Sequence, residues 1–367
     1  VTVVLGILAG VSFGLFAWQF YLGARIRLLT SAATKAGFPA ISILKPLKGC
    51  DSETEGCLRS WLEQDYPGPV QMLFGVAAED DSAVELARQK LKADVVVCPQ
   101  ALGANAKVST LAQLEPLIQH ELVIISDADV AVPKDFLRRI AGFFASERPA
   151  LASCLYRLSG AVNLPMRLEA FIMNSDFWSQ VLQSLALKPM NFALGAAMAI
   201  TRAELAKLGG FRALVDYLAD DFQLGNRVSG KVALCPIIVE CRSAPMTWTE
   251  VCAHQLRWAR TIRVCQPLPF FFSIVSNSTY WLLAWGLASN AWIAVSVMLV
   301  LRCLGGAWLE RKFTGQFHAG SLILAPLSDL LRAVFWLFAF ASNRIYWRGR
   351  YFRVMRGGKL TPENTGG

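Results

Sequence analysis

The sequence predicts a Rossmann-like α/β domain held between membrane-spanning helices, and three observations predict it. Hydrophobic residues make up 54% of the 367 residues, charged residues only 17%, and the mean hydropathy is +0.40. That excess is concentrated in Val1–Leu22 and from Leu268 to Ala341, leaving a more polar middle. Between Ile41 and Cys98, β-branched apolar runs alternate with amphipathic segments, the strand–helix–strand pattern of a nucleotide-binding half-domain. Finally, Glu121-Leu-Val-Ile-Ile-Ser-Asp-Ala-Asp-Val-Ala-Val-Pro133 sets two carboxylates, Asp127 and Asp129, just past a buried strand of a parallel sheet. Ligands of open α/β sheets bind beyond such strand ends.

Val1–Leu22 is uncharged and of the length, about 20 residues, that crosses a bilayer as a helix. It lacks a basic leader and a small-x-small cleavage site, so it reads as an anchor over residues 1–24. Arg25, Arg27 and Lys35 follow it, and Arg344, Arg348, Arg350, Arg353, Arg356 and Lys359 follow the last apolar segment. Basic residues that flank spans mark the cytoplasmic face, which places the middle domain there, as on a bacterial inner membrane. The net charge of +9 is thereby used up at membrane flanks, and no nucleic-acid module accompanies it. The nine cysteines include no Cys-x-x-Cys pair, and His120, His254 and His318 complete no zinc spacing. Reduced, mostly buried thiols are expected.

The middle domain, residues 38–265, opens with a strand from Ile41 to Pro46 that carries Lys45 and Lys48 near its end. A helix over Glu53–Gln64, a turn at Asp65-Tyr-Pro-Gly-Pro69, a strand Val70–Val76, a helix Ala83–Leu91 and a strand Val95–Cys98 follow. Phe136–Phe144 is an amphipathic helix, Leu151–Tyr156 a strand, and Leu168–Leu187 a long helical region interrupted by Asn174 and Asp176. Phe192–Ile200 reads as a buried strand or part of a lipid-facing groove, and Val232–Val239 as a further strand. Glu250–Arg263 is a helix with Arg257, Arg260 and Arg263 along one side. Residues 268–342 are membrane-like, with a hairpin of Phe270–Ala288 and Trp292–Leu309 and a further span Ser321–Ala341. Arg302 complicates that count, and a basic tail fills 343–367.

Several of these segments carry chemistry. Asp127 and Asp129 repel each other unless a cation lies between them, and hard Mg²⁺ or Mn²⁺ shared with a diphosphate is the economical occupant. Glu79-Asp80-Asp81 sits after a strand, where it suits either a base or ribose or a helix N-cap. Lys107, after a small-residue loop, neutralises a diphosphate or is simply a solvated lysine. Asp220 and Asp221 open a helix in a partly apolar setting. Burial there raises a carboxyl toward the range of a general base. Arg257 and its neighbours suit either a phosphate clamp or a basic helix lying on the membrane surface.

Taken together, Ser42-Ile-Leu-Lys-Pro-Leu-Lys-Gly49, Gln64-Asp-Tyr-Pro67, Glu79-Asp-Asp81, Asp127, Ala219-Asp-Asp-Phe222 and Leu256-Arg-Trp258 resemble the ceramide glucosyltransferases, glycosyltransferase family 21, and their bacterial relatives. The stretch Arg348 to Tyr351 is similar to the family's terminal arginine–tyrosine pattern. The resemblance covers nearly the whole chain and implies a GT-A-type catalytic domain that inverts the anomeric carbon. It implies that Asp80 and Asp81 help hold uridine, that Asp127 with Asp129 binds the metal–diphosphate, and that Asp221 is the base. Arg257 and Trp258 match the closing Gln/Arg-x-x-Arg-Trp motif at the diphosphate and acceptor site, where His254 stands in the first position. That departure looks like the hopanoid-associated bacterial branch.

The expected reaction is therefore transfer of a hexose, glucose first, from a UDP-sugar to a membrane-lipid hydroxyl such as that of ceramide. The expected cofactor is divalent Mn²⁺ or Mg²⁺. N-acetylglucosaminyl transfer to a hopanoid is the alternative, and a catalytically silent nucleotide-sugar- or lipid-binding scaffold is the reading from another class. A processive polysaccharide synthase needs more spans than this chain offers.

Overall fold

A computed structural model describes residues 1–29 and 37–363; Lys35 lies outside them. Eight strands form the central sheet: β1 (Ile41–Pro46), β2 (Val70–Val76), β3 (Val95–Val97), β4 (Leu122–Ser126), β5 (Val130–Ala131), β6 (Leu151–Leu158), β7 (Ala197–Thr201) and β8 (Val232–Cys241). Their spatial order is 3-2-1-4-7-6-8-5. The half from β3 to β4 is parallel, with Ile41 opposite both Val70 and Leu122.

The sheet is nevertheless mixed, which corrects the expectation that β4 lies in a parallel one. β7 runs antiparallel to β4 and to β6, with Ser126 opposite Ala197. The chain leaves β6 at the edge where β4 ends and re-enters the sheet at that same edge, so β7 has to run back. No alternation of apolar residues encodes that reversal. Because β6 and β8 are parallel, β1, β2, β4, β6 and β8 all end at one edge.

β4 reads as continuously apolar because both its faces are covered. Val123 and Ile125 pack with Val108, Leu111 and Leu114, whereas Leu122 and Ile124 pack with Trp61, Phe136, Leu137 and Ile140 on the other face. Each such side chain, fully withdrawn from water, contributes about 1.5–3 kcal/mol. Most expected elements lie within a residue or two of their places. The helix expected over Ala83–Leu91 is α-helical only from Ser82 to Glu85 and continues as a π-turn to Lys90. Only the second half of Phe192–Ile200 is strand.

Among the described residues the apolar segments form helices of which three are long and apolar enough to cross a membrane: Thr2–Arg25, Trp292–Thr314 and Ser321–Ala341. The expected span Phe270–Ala288 is broken instead. Asn277 caps a new helix, Ser278–Ser289, by accepting a hydrogen bond from the Tyr280 N–H at 3.1 Å. Those 12 residues reach only about 18 Å. Arg302 is tolerated inside its helix because it is paired. Its guanidinium bonds Asp176 at 2.9 Å and Asp329 at 3.0 Å, and the half-buried Arg332 completes a two-plus-two set. Asp176, read as an interruption, lies in a π-helical turn, Ile172–Phe177, that faces this arginine.

Up to Glu363 the basic tail is folded. β9 (Arg344–Trp347), β10 (Arg350–Val354) and β11 (Leu360–Pro362) form a small antiparallel sheet. Ile345, Phe352, Val354 and Leu360 of that sheet pack on Val264 of the Trp248–Cys265 helix. All nine cysteines are free thiols.

Candidate active site

The carboxyl edge of the sheet gathers charged side chains that are distant in sequence. Asn105 organises the gathering. It caps the Ala106–Leu114 helix by accepting from the Val108 N–H, and its own amide donates to the Tyr217 carbonyl at 2.7 Å. The segment leading to Asp220 is thereby fastened beside the start of that helix. Lys107, in the first turn, reaches Asp127 at 2.7 Å and Asp220 at 3.1 Å. Although burial alone would lower it, these carboxylates hold the Lys107 ammonium well above the usual lysine range.

Beneath them Lys45 is fully buried. It donates to the Asp127 carbonyl at 2.7 Å and to Ser126 Oγ at 3.2 Å, with its ammonium 4.5 Å from the centre of the Trp61 ring. Burial pushes it down to about 7, against the pull of Asp129 and Asp127. Lys45 thus fixes the backbone on which both aspartates stand.

Asp221 lies next to Asp220, in the first turn of the Asp220–Arg227 helix. Burial and then the Asp220 charge push its carboxyl up to about 7, with Lys107 opposing. One oxygen accepts from the Phe222 N–H at 2.7 Å. The other lies 3.0 Å from where a Cβ on Gly195 would stand, so this glycine leaves room for the carboxylate.

Asp129 opens onto the cleft, yet the surrounding protein and the neighbouring Asp127 charge push it up to about 6. A cation between Asp129 and Asp127 would relieve that repulsion. Among the described residues no group of three or more His, Cys, Asp or Glu side chains gathers around a common centre. An ion on Asp127 and Asp129 would take its remaining oxygens from a diphosphate and water, which is how Mg²⁺ is usually held. The donor set fits a divalent ion of that kind.

Next to Asp129 a cavity of about 440 Å³ opens, lined by Glu169, His254, Arg257 and Arg348, and by Met166 and Met246. Thr247 and Glu250 form a capping box that starts the Trp248–Cys265 helix, and His254 and Arg257 stand three residues apart on its cavity side. Glu169, 1% exposed, accepts from His254 Nδ1 at 2.7 Å and from Gln255 at 2.9 Å, leaving its second oxygen without a partner among the described residues. Trp258 packs on the His254 ring at 4.3 Å between centroids. Arg257 makes no side-chain hydrogen bond among the described residues, and burial lowers its guanidinium below the usual arginine range.

The structure brings Lys107, Asp127, Asp129 and Asp221 to one cleft, with His254 and Arg257 across the adjoining cavity. Lys107 is engaged by two carboxylates, on a helix rather than in a loop. Asp81 sits at the end of β2 on the same edge as an N-cap, accepting from Ala83 at 2.9 Å and from the Gly49 N–H at 2.8 Å. Asp80 is exposed and makes no side-chain hydrogen bond among the described residues. Glu169 was missed, since a single acid within an apolar helix carries no motif. Lys45 did carry a signal, a lysine inside a strand whose six residues are all buried.

Comparison with known proteins places this arrangement. The family described as Glycosyl transferase family 21 matches residues 3–360. Ceramide glucosyltransferase 3 of Caenorhabditis elegans is 20% identical, with 92% of this chain and 78% of the relative covered. A β-monoglucosyldiacylglycerol synthase of Synechocystis is 26% identical, over 55% of this chain and 42% of its own. The solved mannosyltransferase of Pyrobaculum calidifontis in complex with GDP-mannose and Mn²⁺ superposes with a TM-score of 0.53 at 19% identity, covering 90% of this chain and 98% of that one. The fold is accordingly GT-A, with apolar helices added at both ends. With the family matched from the first helix to the last strand of the terminal sheet, the chain belongs to glycosyltransferase family 21.

Proposed function

We propose that the protein transfers glucose from UDP-glucose to the hydroxyl of a membrane lipid such as ceramide, at the cytoplasmic leaflet. One observation carries this reading: the cavity is lined by charged and by apolar side chains together, with Asp129, His254 and Arg257 among the first and Met166, Ala170 and Met246 among the second. Met166 and Ala170 belong to the Leu164–Phe171 helix, whose Leu168 and Phe171 pack against Leu324 and Ala325 of a membrane-long helix. A lipid whose hydroxyl lies at the interface would reach the cleft without leaving the bilayer. Arg25, Arg27 and the arginines of the terminal sheet support a cytoplasmic catalytic domain.

In this reading Asp221 takes the proton from the acceptor hydroxyl as its oxygen attacks the anomeric carbon in line, inverting it. Its raised carboxyl suits a base working near neutrality. Arg257 supplies positive charge to the departing diphosphate. Asp127 and Asp129 would hold a divalent ion, which when bound neutralises diphosphate charge. Lys107 orients the Asp127 carboxylate and Lys45 the backbone that carries it, Asp80 and Asp81 contact uridine at the end of β2, and Trp258 with Glu169 fixes the His254 ring.

His254, in place of the family's Gln or Arg, favours testing a second acceptor and donor, a hopanoid with UDP-N-acetylglucosamine. Purified protein is to be incubated with each labelled donor against ceramide and hopanoid vesicles, with Mn²⁺. Glycosylceramide from UDP-glucose supports the proposal, whereas N-acetylglucosaminyl-hopanoid alone replaces donor and acceptor. Binding without turnover on any pair makes the protein a scaffold.

A further inference from the structure

Two arginines face the same cavity without an acceptor among the described residues, Arg348 resting 5.1 Å from the centre of the Trp347 ring. Arg257 comes from the Trp248–Cys265 helix and Arg348 from the tip of the β9–β10 hairpin, and among the described residues neither guanidinium makes a hydrogen bond or ion pair. Withdrawal from water lowers both below the usual arginine range, most at Arg257 since Arg348 still opens to solvent; Glu169 opposes this at Arg257, Asp127 and Asp220 oppose it at Arg348, and Arg348 adds repulsion to Arg257. Those carboxylates act at a distance, with no ion pair to either arginine among the described residues, so both guanidiniums keep donors free for an anion between them.

The hairpin is built to hold Arg348 there. Trp347 pairs with Arg350, so Arg348 and Gly349 form a two-residue loop in which both have positive φ, 50° and 84°. Asparagine and glycine take the first of these positions readily; arginine there is an outlier of the sort found where a side chain is held for use. The sheet behind it is tied to the segment that carries Asp220 and Asp221. The Leu218 N–H donates to the Gly358 carbonyl at 2.9 Å, Leu360 N–H to Asp216 at 2.7 Å, and Gln223 to Gly357 at 2.6 Å. On its other side Ile345 and Val354 pack on Val264, seven residues beyond Arg257. The hairpin therefore bridges the two halves of the site and lays its tip across the cavity.

We propose that Arg348 is a second ligand of the donor diphosphate, opposite Arg257, and that the C-terminal hairpin is part of the donor site. This rests on the reading of the protein as a nucleotide-sugar transferase. A phosphate could also arrive on a lipid headgroup, and the test separates the two sources. UDP is titrated calorimetrically into full-length protein in detergent with Mn²⁺, uridine affinity is measured by competition, and co-sedimentation with phosphatidylglycerol vesicles is recorded.

Arg348→Gly removes the guanidinium while easing the turn, so it should melt no lower than the unaltered protein. Its UDP affinity should fall about 10- to 100-fold, the worth of a charge-assisted hydrogen bond, with uridine affinity unchanged. Arg348→Lys should recover part of the loss, and Arg350→Ala, on the outer side of the hairpin, should cost nothing. The proposal is overturned if Arg348→Gly binds UDP normally, loses uridine to the same degree, or loses only vesicle binding. An unaltered protein that binds no UDP at all overturns the nucleotide-sugar reading itself, and the present inference with it.

Discussion

Replacing Asp221 by asparagine should give a protein that is inactive and more stable. Asparagine keeps the shape of the side chain and can still accept from the Phe222 N–H, but it cannot take a proton. A positioned base contributes roughly 10²–10⁴ in rate, so turnover should drop about a thousandfold while UDP binding changes little. The stability effect follows from the raised carboxyl. A group whose folded value, about 7, lies above its ordinary 3.8 is more readily protonated in the folded chain, so ionising it works against folding. That cost is absent below about pH 4, grows between about 4 and 7, and is complete above 7. At about 1.36 kcal/mol per pH unit it amounts to roughly 4 kcal/mol. Thermal melting of the two proteins in chelator, at pH 5 and pH 8, reads it: Asp221→Asn should melt higher, and by more at pH 8. The unaltered enzyme should show its mirror image in rate, falling to about a tenth of its plateau at pH 6. A variant that retains turnover, or that melts lower at pH 8, would refute the assignment of Asp221 as the base.

Other substitutions test the supports of the site. Lys107→Met leaves Asp127 and Asp220 without their shared cation and should destabilise the fold by about 3–5 kcal/mol, seen as a lowered melting temperature that added Mn²⁺ partly restores. Glu169→Gln should loosen the His254 ring and lower kcat/KM for the lipid about tenfold while leaving the KM for UDP-sugar unchanged, measured by varying each substrate separately. Among the apolar helices, Arg302→Met leaves Asp176 and Asp329 to share Arg332 alone, one buried negative charge in excess, and should cost about 3–5 kcal/mol. Adding Asp329→Leu to it should regain part of that loss; melting of the single and double variants in detergent compares them.

What could be read beforehand follows from the range of the interactions. Strands such as Val70–Val76 and the Asp127-Ala-Asp129 turn are written in a few consecutive residues, by period and by punctuation, and lie where expected. The antiparallel return of β7 was not legible, because it depends on which edge the chain leaves after β6. The break at Asn277 was hidden for a different reason. Hydropathy averages over a window, and one capping side chain is enough to end a helix inside it. Arg302 looked anomalous in sequence because its partners, Asp176 and Asp329, lie 126 and 27 residues away. The same distance problem concealed Glu169 beneath His254, and the folding of the basic tail over the cavity. Charged residues in a tail look solvated until their apolar neighbours, here Ile345, Phe352 and Val354, are seen to be buried.

The most direct measurement is a crystallographic one, with UDP and Mn²⁺ bound and the manganese located by its anomalous signal. The account predicts one manganese peak within about 2.5 Å of a carboxylate oxygen of Asp127 or Asp129, with the diphosphate between it and Arg257. The Asp221 carboxylate should face the side where the sugar would project. Manganese and UDP bound away from this cleft, or Asp221 turned from it, would contradict the account.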